Sequence, residues 1–149
     1  MLINVLFIIF MIIFLYSCAV SEGEGNSYPQ VVTYAPKSKE VEVQFMGIAS
    51  FSLKCTDRET PEERIVYRAY LDGVIKCDSA KKMGGNNCRF YDFMETTGIS
   101  FQYQFSEKNY EHTVKLTCSD EPVGDYPART VEKVWKVKVK DFTVPLQNN

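Results

Sequence analysis

The sequence predicts an all-β domain in which two sheets pack face to face. Residues 51–55 and 114–118 each alternate apolar and polar side chains and end in a cysteine, a pattern typical of half-buried strands. If their apolar faces meet, Cys55 and Cys118 point into the space between the sheets, where a disulfide can join them. Aromatic residues make up 13% of the chain and favour strands, because they pack well on a pleated surface. No stretch has helical periodicity.

The length and the net charge limit the classes of protein to which this chain can belong. A chain of 149 residues is close to the usual size of one domain, so a single domain is expected. The formal net charge of -2 excludes a strongly basic nucleic-acid-binding protein, and no nucleic-acid partner is expected. His112 is the single histidine, which excludes any mechanism that needs several histidines.

The N-terminal residues predict a secretory leader. Residues 2–16 are apolar except for Asn4, and the run is shorter than the about 20 residues of a membrane span. Ser17 and Ala19 are small residues at the -3 and -1 positions of a cut after Ala19, so residues 1–19 are interpreted as a signal peptide. Residues 20–28 then form a polar tether. The alternative is a lipid anchor on Cys18, since residues 15–18 resemble a bacterial lipobox.

Four cysteines remain after the leader and predict two disulfides, for which three connectivities exist. The preferred pairing joins Cys55 to Cys118 across the sheets and Cys77 to Cys88 as a local clip. The competing interpretation is that these cysteines bind a zinc ion, but the chain has no C-x-x-C pair and only one histidine. We therefore expect no metal site.

The strands follow one another between turn signals over residues 29–142, and residues 143–149 form a C-terminal tail. Asp72 and Gly73 provide a tight hairpin turn. Lys136, Lys138 and Lys140 alternate with apolar residues near the end and are interpreted as lysines that protect an edge strand. The alternative is that they contact acidic glycans or an acidic partner. The predicted strands lie at residues 29–35, 41–45, 51–55, 65–71, 74–77, 89–94, 99–105, 114–118 and 131–140.

Much of residues 30–141 resembles immunoglobulin-like domains. The first two strands carry Pro36, Val41, Val43 and Gly47 before the Phe-x-Leu-x-Cys of residues 51–55. The spacing of 63 residues from Cys55 to Cys118 suits the B and F strands of that family, and Trp135-x-Val137-x-Val139 resembles its G strand. Residues 109–116 also resemble late strands of PKD-type sandwiches. Both resemblances imply a single immunoglobulin-like antiparallel β-sandwich. Tyr67, Ala69 or Tyr70 stands where the immunoglobulin family has a tryptophan on strand C.

Catalysis is not predicted. His112 has no nucleophile motif around it and is interpreted as a surface histidine at a strand end. The acidic residues lie scattered in loops, without the pairing that glycoside hydrolysis requires. We expect a protein without enzymatic activity and without a cofactor.

The predicted function is protein binding by a secreted domain, in adhesion or immune modulation. In immunoglobulin-like sandwiches the B–C and F–G loops lie together at one end, which here places Arg58, Tyr126 and Arg129 at one pole. Tyrosine and arginine are the residue types that often dominate binding energy, so these three are the candidate binding residues. The alternative is a carrier of a lipid or small ligand. It would need a cavity between the sheets, lined by the aromatic stripe at residues 101, 103 and 105.

Overall fold

The computed structural model describes residues 25–93, 96–108 and 110–141, which form two packed β-sheets. The four-stranded sheet has the order β1-β3-β7-β6, and the five-stranded sheet has the order β2-β9-β8-β4-β5. The predicted leader, residues 20–24 of the tether, the alternative lipid site at Cys18 and the tail at residues 143–149 lie outside the described residues. The strands are β1 (Gln30–Ala35), β2 (Glu40–Gln44), β3 (Ile48–Thr56), β4 (Val66–Leu71), β5 (Val74–Asp78), β6 (Cys88–Phe93), β7 (Thr96–Gln104), β8 (Glu111–Ser119) and β9 (Thr130–Lys140).

The predicted fold is confirmed: the chain is an immunoglobulin-like β-sandwich with two disulfides. The strand pairs are antiparallel except for β2 and β9, which run parallel. The alternating residues of β3, β7, β8 and β9 meet between the sheets, so the middle of the sandwich is filled with side chains. Phe101 and Phe105 are fully buried there and belong to the core. The fully buried core residues also include Phe51, Leu53, Ile99, Val114, Leu116 and Val137.

The disulfide between Cys55 and Cys118 joins the centres of the two sheets. Cys55 lies on β3 and Cys118 on β8, with a Cα–Cα distance of 6.6 Å, as predicted. Tyr67 on β4 is the register partner of Cys118 and is buried. Its hydroxyl accepts a hydrogen bond from the Cys55 N–H (3.2 Å) and donates to the Thr97 carbonyl (3.0 Å). The phenol therefore links β4 to the opposite sheet beside the disulfide.

The second disulfide has a larger structural role than predicted. The pairing of Cys77 with Cys88 is confirmed, and the bond closes a segment of only 11 residues. However, Cys77 lies on β5 and Cys88 on β6, which are edge strands of opposite sheets. Gly84 passes so close that a Cβ at this position would lie 2.5 Å from Cys88 Sγ. The bond is thus a second connection between the sheets, along one open side of the sandwich.

The interpretation of the lysine row was wrong, because β9 is not an edge strand. The parallel strand β2 covers it and places glutamates beside the lysines. Lys138 Nζ lies 3.0 Å from Glu40 Oε2, and this hydrogen bond lowers the pKa of Glu40 and raises the pKa of Lys138. Lys140 pairs in the same way with Glu42 at 2.5 Å. The lysines of this face are therefore neutralised within the domain.

The interpretation of His112 as a surface residue was also wrong. His112 is only 4% exposed, and its ring lies against the rings of Phe105 and Tyr110. Its Nδ1 is 2.7 Å from Oδ2 of Asp72, which lies in the turn between β4 and β5. The other carboxylate oxygen of Asp72 accepts a hydrogen bond from the Thr113 N–H at 2.7 Å. His112 thus holds the turn against β8.

Asp78 at the end of β5 is a buried carboxylate with several donors. Its side chain is 1% exposed and lies 2.9 Å from Nε of Arg68. The backbone N–H groups of Ala80 and Lys81 also donate to it, at 3.0 and 3.2 Å. Burial is the largest single effect and raises the pKa of Asp78, but Arg68 and the two backbone donors outweigh it. The net pKa lies below its ordinary value of 3.8.

Replacing Asp78 with asparagine is expected to reduce the free energy of unfolding by roughly 1–3 kcal/mol near neutral pH, because Arg68 loses its charged partner. A lowered pKa stabilises the native state above the ordinary value of 3.8, and this contribution is lost as pH falls through the lower native pKa. Urea unfolding of wild type and Asp78→Asn at a series of pH values measures the difference. The difference should close under acidic conditions. A difference that stays constant with pH would contradict this assignment.

Candidate binding surface

Three segments come together at one end of the sandwich. They are residues 25–29 before β1, residues 57–65 between β3 and β4, and residues 120–129 between β8 and β9. We call these three segments the loop pole. Both loops belong here because β3 and β8 end at the same side of the sandwich, next to the disulfide between Cys55 and Cys118. The sequence predicted the meeting of the two loops, but not the third segment.

The segment before β1 bridges the two loops. Asn26 is buried, and its Nδ2 donates hydrogen bonds to the carbonyls of Pro127 (2.9 Å) and Glu121 (3.3 Å). The Ser27 hydroxyl donates to Oε2 of Glu59 at 2.5 Å. Residues 25–28, which were expected to belong to a polar tether, therefore contact the domain.

The two loops are also bonded to each other. Arg64 forms an ion pair with Glu121 at 3.0 Å, and the N–H of Glu121 donates to the hydroxyl of Thr60 at 3.3 Å. Within the second loop, Asp120 is buried and accepts a hydrogen bond from the N–H of Arg129. These bonds hold the pole in one arrangement through contacts inside the domain.

Arg129, one of the three predicted binding residues, stacks on a tyrosine of the first segment. Its guanidinium lies 5.1 Å from the ring centroid of Tyr28, and Nη1 is 3.5 Å from the Tyr28 hydroxyl. Tyr28 is 58% exposed, so its ring presents a large apolar surface beside a positive charge. Sequence reasoning missed Tyr28, because residues 20–28 as a whole are polar. The signal available was an aromatic residue directly before Pro29 and the first strand.

Tyr126, the second predicted residue, projects from a tight turn. The backbones of Val123 and Tyr126 exchange hydrogen bonds of 3.1 and 3.0 Å around Gly124 and residue 125. Gly124 has a φ of 57°, a conformation that glycine adopts without strain. Tyr126 is 47% exposed, and one side of its ring lies against Gly25, where a Cβ would be 3.1 Å away. The turn thus holds an exposed aromatic ring in place.

Arg58, the third predicted residue, is exposed and lines a groove of about 700 Å³. The groove also contains Gly25, Tyr28 and Glu59, so it runs beside the first segment. Arg58 is linked to the other two residues through that segment, since Gly25 contacts Tyr126 and Tyr28 contacts Arg129. The structure therefore brings all three predicted residues to the loop pole. That they bind a partner stays a prediction.

Comparison with known proteins identifies no family for the chain. No protein-family profile matches the sequence, and no curated protein is significantly similar to it. Among solved structures, the chain is similar to the fibronectin(III)-like modules of CbhA from Clostridium thermocellum, with 12% identity and a TM-score of 0.46. The match covers 82% of this chain and 53% of that chain, so this chain spans about half the length of its structural neighbour.

A second groove, of about 730 Å³, lies along the open side of the sandwich near the disulfide of Cys77 and Cys88. We call it the edge groove. Its lining includes Ile65, Met83 and Tyr91. This groove fits the alternative carrier function better than the centre of the sandwich, because aromatic side chains fill that centre.

Two further observations concern cofactors and membranes. Within residues 25–93, 96–108 and 110–141, no group of three or more His, Cys, Asp or Glu side chains is arranged to hold a metal ion. In the same part of the chain, no helix has the length and apolar character needed to cross a membrane.

The two disulfides indicate an oxidising compartment, since such bonds persist mainly outside the reducing cytosol.

Proposed function

We propose that the chain is a secreted domain that binds another protein through the loop pole and has no catalytic role. One observation carries this proposal. Exposed tyrosines and arginines lie on three segments that hydrogen bonds hold in a fixed arrangement. The oxidising compartment that the disulfides indicate and the leader-like residues 1–19 support secretion.

The residue types at the pole suit protein recognition. Tyrosine buries a large apolar ring and still offers a hydroxyl, and arginine offers several donors on a planar group, so both are enriched among residues that dominate binding energy. Tyr28 and Tyr126 are 58% and 47% exposed, and Arg129 lies against the Tyr28 ring. A partner that covers the Tyr28 ring also covers the Arg129 guanidinium, and it can accept hydrogen bonds from this group.

Order at the pole lowers the cost of association. Fixing a flexible side chain on binding costs about 0.5–1.5 kcal/mol, so residues that are already held contribute more of their contact energy to affinity. Asn26 and Thr60 fix the backbone of the second loop from two directions. By contrast, the outer face of β9 presents lysines that already pair with glutamates, and a partner would have to compete with these pairs.

A photo-cross-linking amino acid at position 126 tests the proposal. The matched control carries the same amino acid at position 110, because Tyr110 is also a half-exposed tyrosine but lies near His112, at the opposite end of β8. After illumination with extracellular proteins, position 126 should give a discrete adduct with one protein, and position 110 should not. An adduct formed from position 110 and not from position 126 would refute binding through the pole.

Once that partner is purified, substitutions at the pole should weaken its binding. Tyr126→Ala and Arg58→Ala are each expected to reduce affinity by about 30-fold, which corresponds to an anchor of about 2 kcal/mol. Calorimetric titration measures the affinity, and the control Tyr110→Ala should bind as wild type. Thermal unfolding should be nearly unchanged in all three variants, since each side chain is exposed. Unchanged affinity in both pole variants would show that the contact lies elsewhere.

A further inference from the structure

Four exposed cations lie on the edge formed by β5 and β6: Lys76, Lys81, Lys82 and Arg89. None of them forms an ion pair with any carboxylate in the part of the chain that the structure describes. The only acidic residue between positions 76 and 89 is Asp78, and its carboxylate is buried against Arg68. Between positions 76 and 89 this edge therefore carries four cations that no carboxylate of the described residues pairs with, although the chain as a whole has a net charge of -2.

The disulfide of Cys77 and Cys88 concentrates these charges. Its Cα atoms are 6.1 Å apart, and Lys76 and Arg89 are the residues directly before and after the two cysteines. Lys81 and Lys82 lie in a turn that two backbone hydrogen bonds between Asp78 and Met83 close, at 2.9 and 3.0 Å. The cations thus occupy a short, covalently closed stretch. Their mutual repulsion favours binding of an anion that carries several charges.

Tyr91 continues this surface onto the outer face of the four-stranded sheet. It is 47% exposed and follows Arg89 by two positions on β6, so both side chains point to the same side. Tyr91 also separates two concave regions. The edge groove on one side includes Lys82, and a depression of about 290 Å³ on the other side includes Lys54.

Gly98 forms the floor of that depression. It lies in the middle of β7, and its register partners are Lys54 on β3 and Tyr91 on β6. Glycine inside a strand weakens the strand and often marks a place where a ligand approaches the backbone. The hydroxyl-bearing residues Thr33 and Ser52 also line the depression. An aromatic wall, hydroxyl groups and a lysine therefore surround a space with room for one sugar ring.

We propose that this surface binds a linear sulfated glycan. The sulfate groups would pair with Lys81, Lys82 and Arg89 along the edge, and one sugar ring would pack on Tyr91 above Gly98. Charges spread along an edge suit a polymer that carries anions at intervals. The apolar face of a sugar suits an aromatic ring, and its hydroxyls suit the polar side chains around the depression. The edge groove shares residues 63–65 with the loop pole, but Arg58, Tyr126 and Arg129 do not line it, so its test is independent of the proposed protein partner.

The first test compares two variants with the same loss of charge. Lys81→Gln, Lys82→Gln and Arg89→Gln are combined in one variant, and Lys37→Gln, Lys39→Gln and Lys133→Gln in the control. The probe is a size-defined heparin oligosaccharide, and calorimetric titration measures its affinity. The first variant should bind about tenfold more weakly or worse, and the control should stay within about twofold of wild type. Equal losses would show attraction by net charge alone and would overturn the proposal.

The second test leaves the charge unchanged. Gly98→Ala fills the floor of the depression, and the new Cβ would lie 3.1 Å from the Leu53 carbonyl oxygen, so the β3 backbone must move by a few tenths of an ångström. This variant and Tyr91→Ala should each lower heparin affinity at least about threefold, whereas Tyr126→Ala should bind as wild type. Near-ultraviolet circular dichroism verifies that the variants are folded. Unchanged affinity in both variants, or equal affinity of the wild type for a DNA duplex of matched charge, would overturn the glycan assignment.

Discussion

Replacing both Cys55 and Cys118 with alanine is expected to unfold the domain near body temperature. The disulfide closes 63 residues, and in the chain-entropy model such a loop is worth about 4 kcal/mol. A small domain has only about 5–15 kcal/mol of stability in total, so the loss is a large share. Both cysteines are fully buried, and the change also leaves a gap beside Tyr67. Fluorescence of Trp135, the single tryptophan, reports the thermal transition.

The matched control replaces Cys77 and Cys88 with alanine. This disulfide closes 11 residues, for which the same model gives about 3 kcal/mol. Because the bond joins edge strands and not the centre, the variant should keep a folded core at room temperature and melt at a lower temperature than wild type. If this variant is unfolded while the Cys55 and Cys118 variant stays native, the roles assigned to the two disulfides are reversed.

Replacing Trp135 with alanine should destabilise the domain by about 3–5 kcal/mol, the usual cost of removing a large buried aromatic side chain. Trp135 is 2% exposed, and its ring centroid lies 5.3 Å from that of Phe51 on the opposite sheet. Its Nε1 donates a hydrogen bond of 2.9 Å to the carbonyl of Pro36. The indole therefore holds β9, β3 and the connection between β1 and β2 together. Urea unfolding followed by far-ultraviolet circular dichroism measures the change.

Two controls separate packing from hydrogen bonding at this position. Trp135→Phe keeps an aromatic ring but leaves the Pro36 carbonyl without its donor, and it should cost about 1–3 kcal/mol. Val134→Ala, one residue earlier on β9, should have little effect because Val134 is 41% exposed. A Trp135→Ala variant as stable as Val134→Ala would contradict the position of Trp135 at the centre of the core.

The sequence predicts the fold and the disulfides because their signals are local. Alternation around Cys55 and Cys118 indicates which face of each strand is buried, and this favours their pairing over the two other connectivities. No such local pattern shows which strand pairs with β9. Val137 and Val139 would alternate with polar residues in the same way whether β9 were an edge strand or had a neighbour on both sides. Glu40 and Glu42, which alternate on β2 opposite the lysines, carry the information that was missed. Complementary alternating charges on two strands indicate pairing.

The burial of His112 and the third segment of the loop pole depend on contacts between distant residues. Asp72 reaches His112 across 40 residues of sequence, and Asn26 reaches the carbonyl of Pro127 across 101. Neither contact leaves a periodic pattern around the residues involved. The meeting of Arg58, Tyr126 and Arg129 was predicted, because the ends of β3 and β8 in an immunoglobulin-like sandwich determine where their loops lie.

Amide hydrogen exchange of the domain, alone and with the partner captured at position 126, tests the proposed binding surface most directly. Binding through the loop pole predicts slower exchange in residues 25–29, 57–65 and 120–129 of the complex, since a bound partner excludes water from these segments. Exchange along β9 and in residues 76–89 should not change. Slower exchange confined to β9 or to residues 76–89, with no change at the three pole segments, would contradict the account.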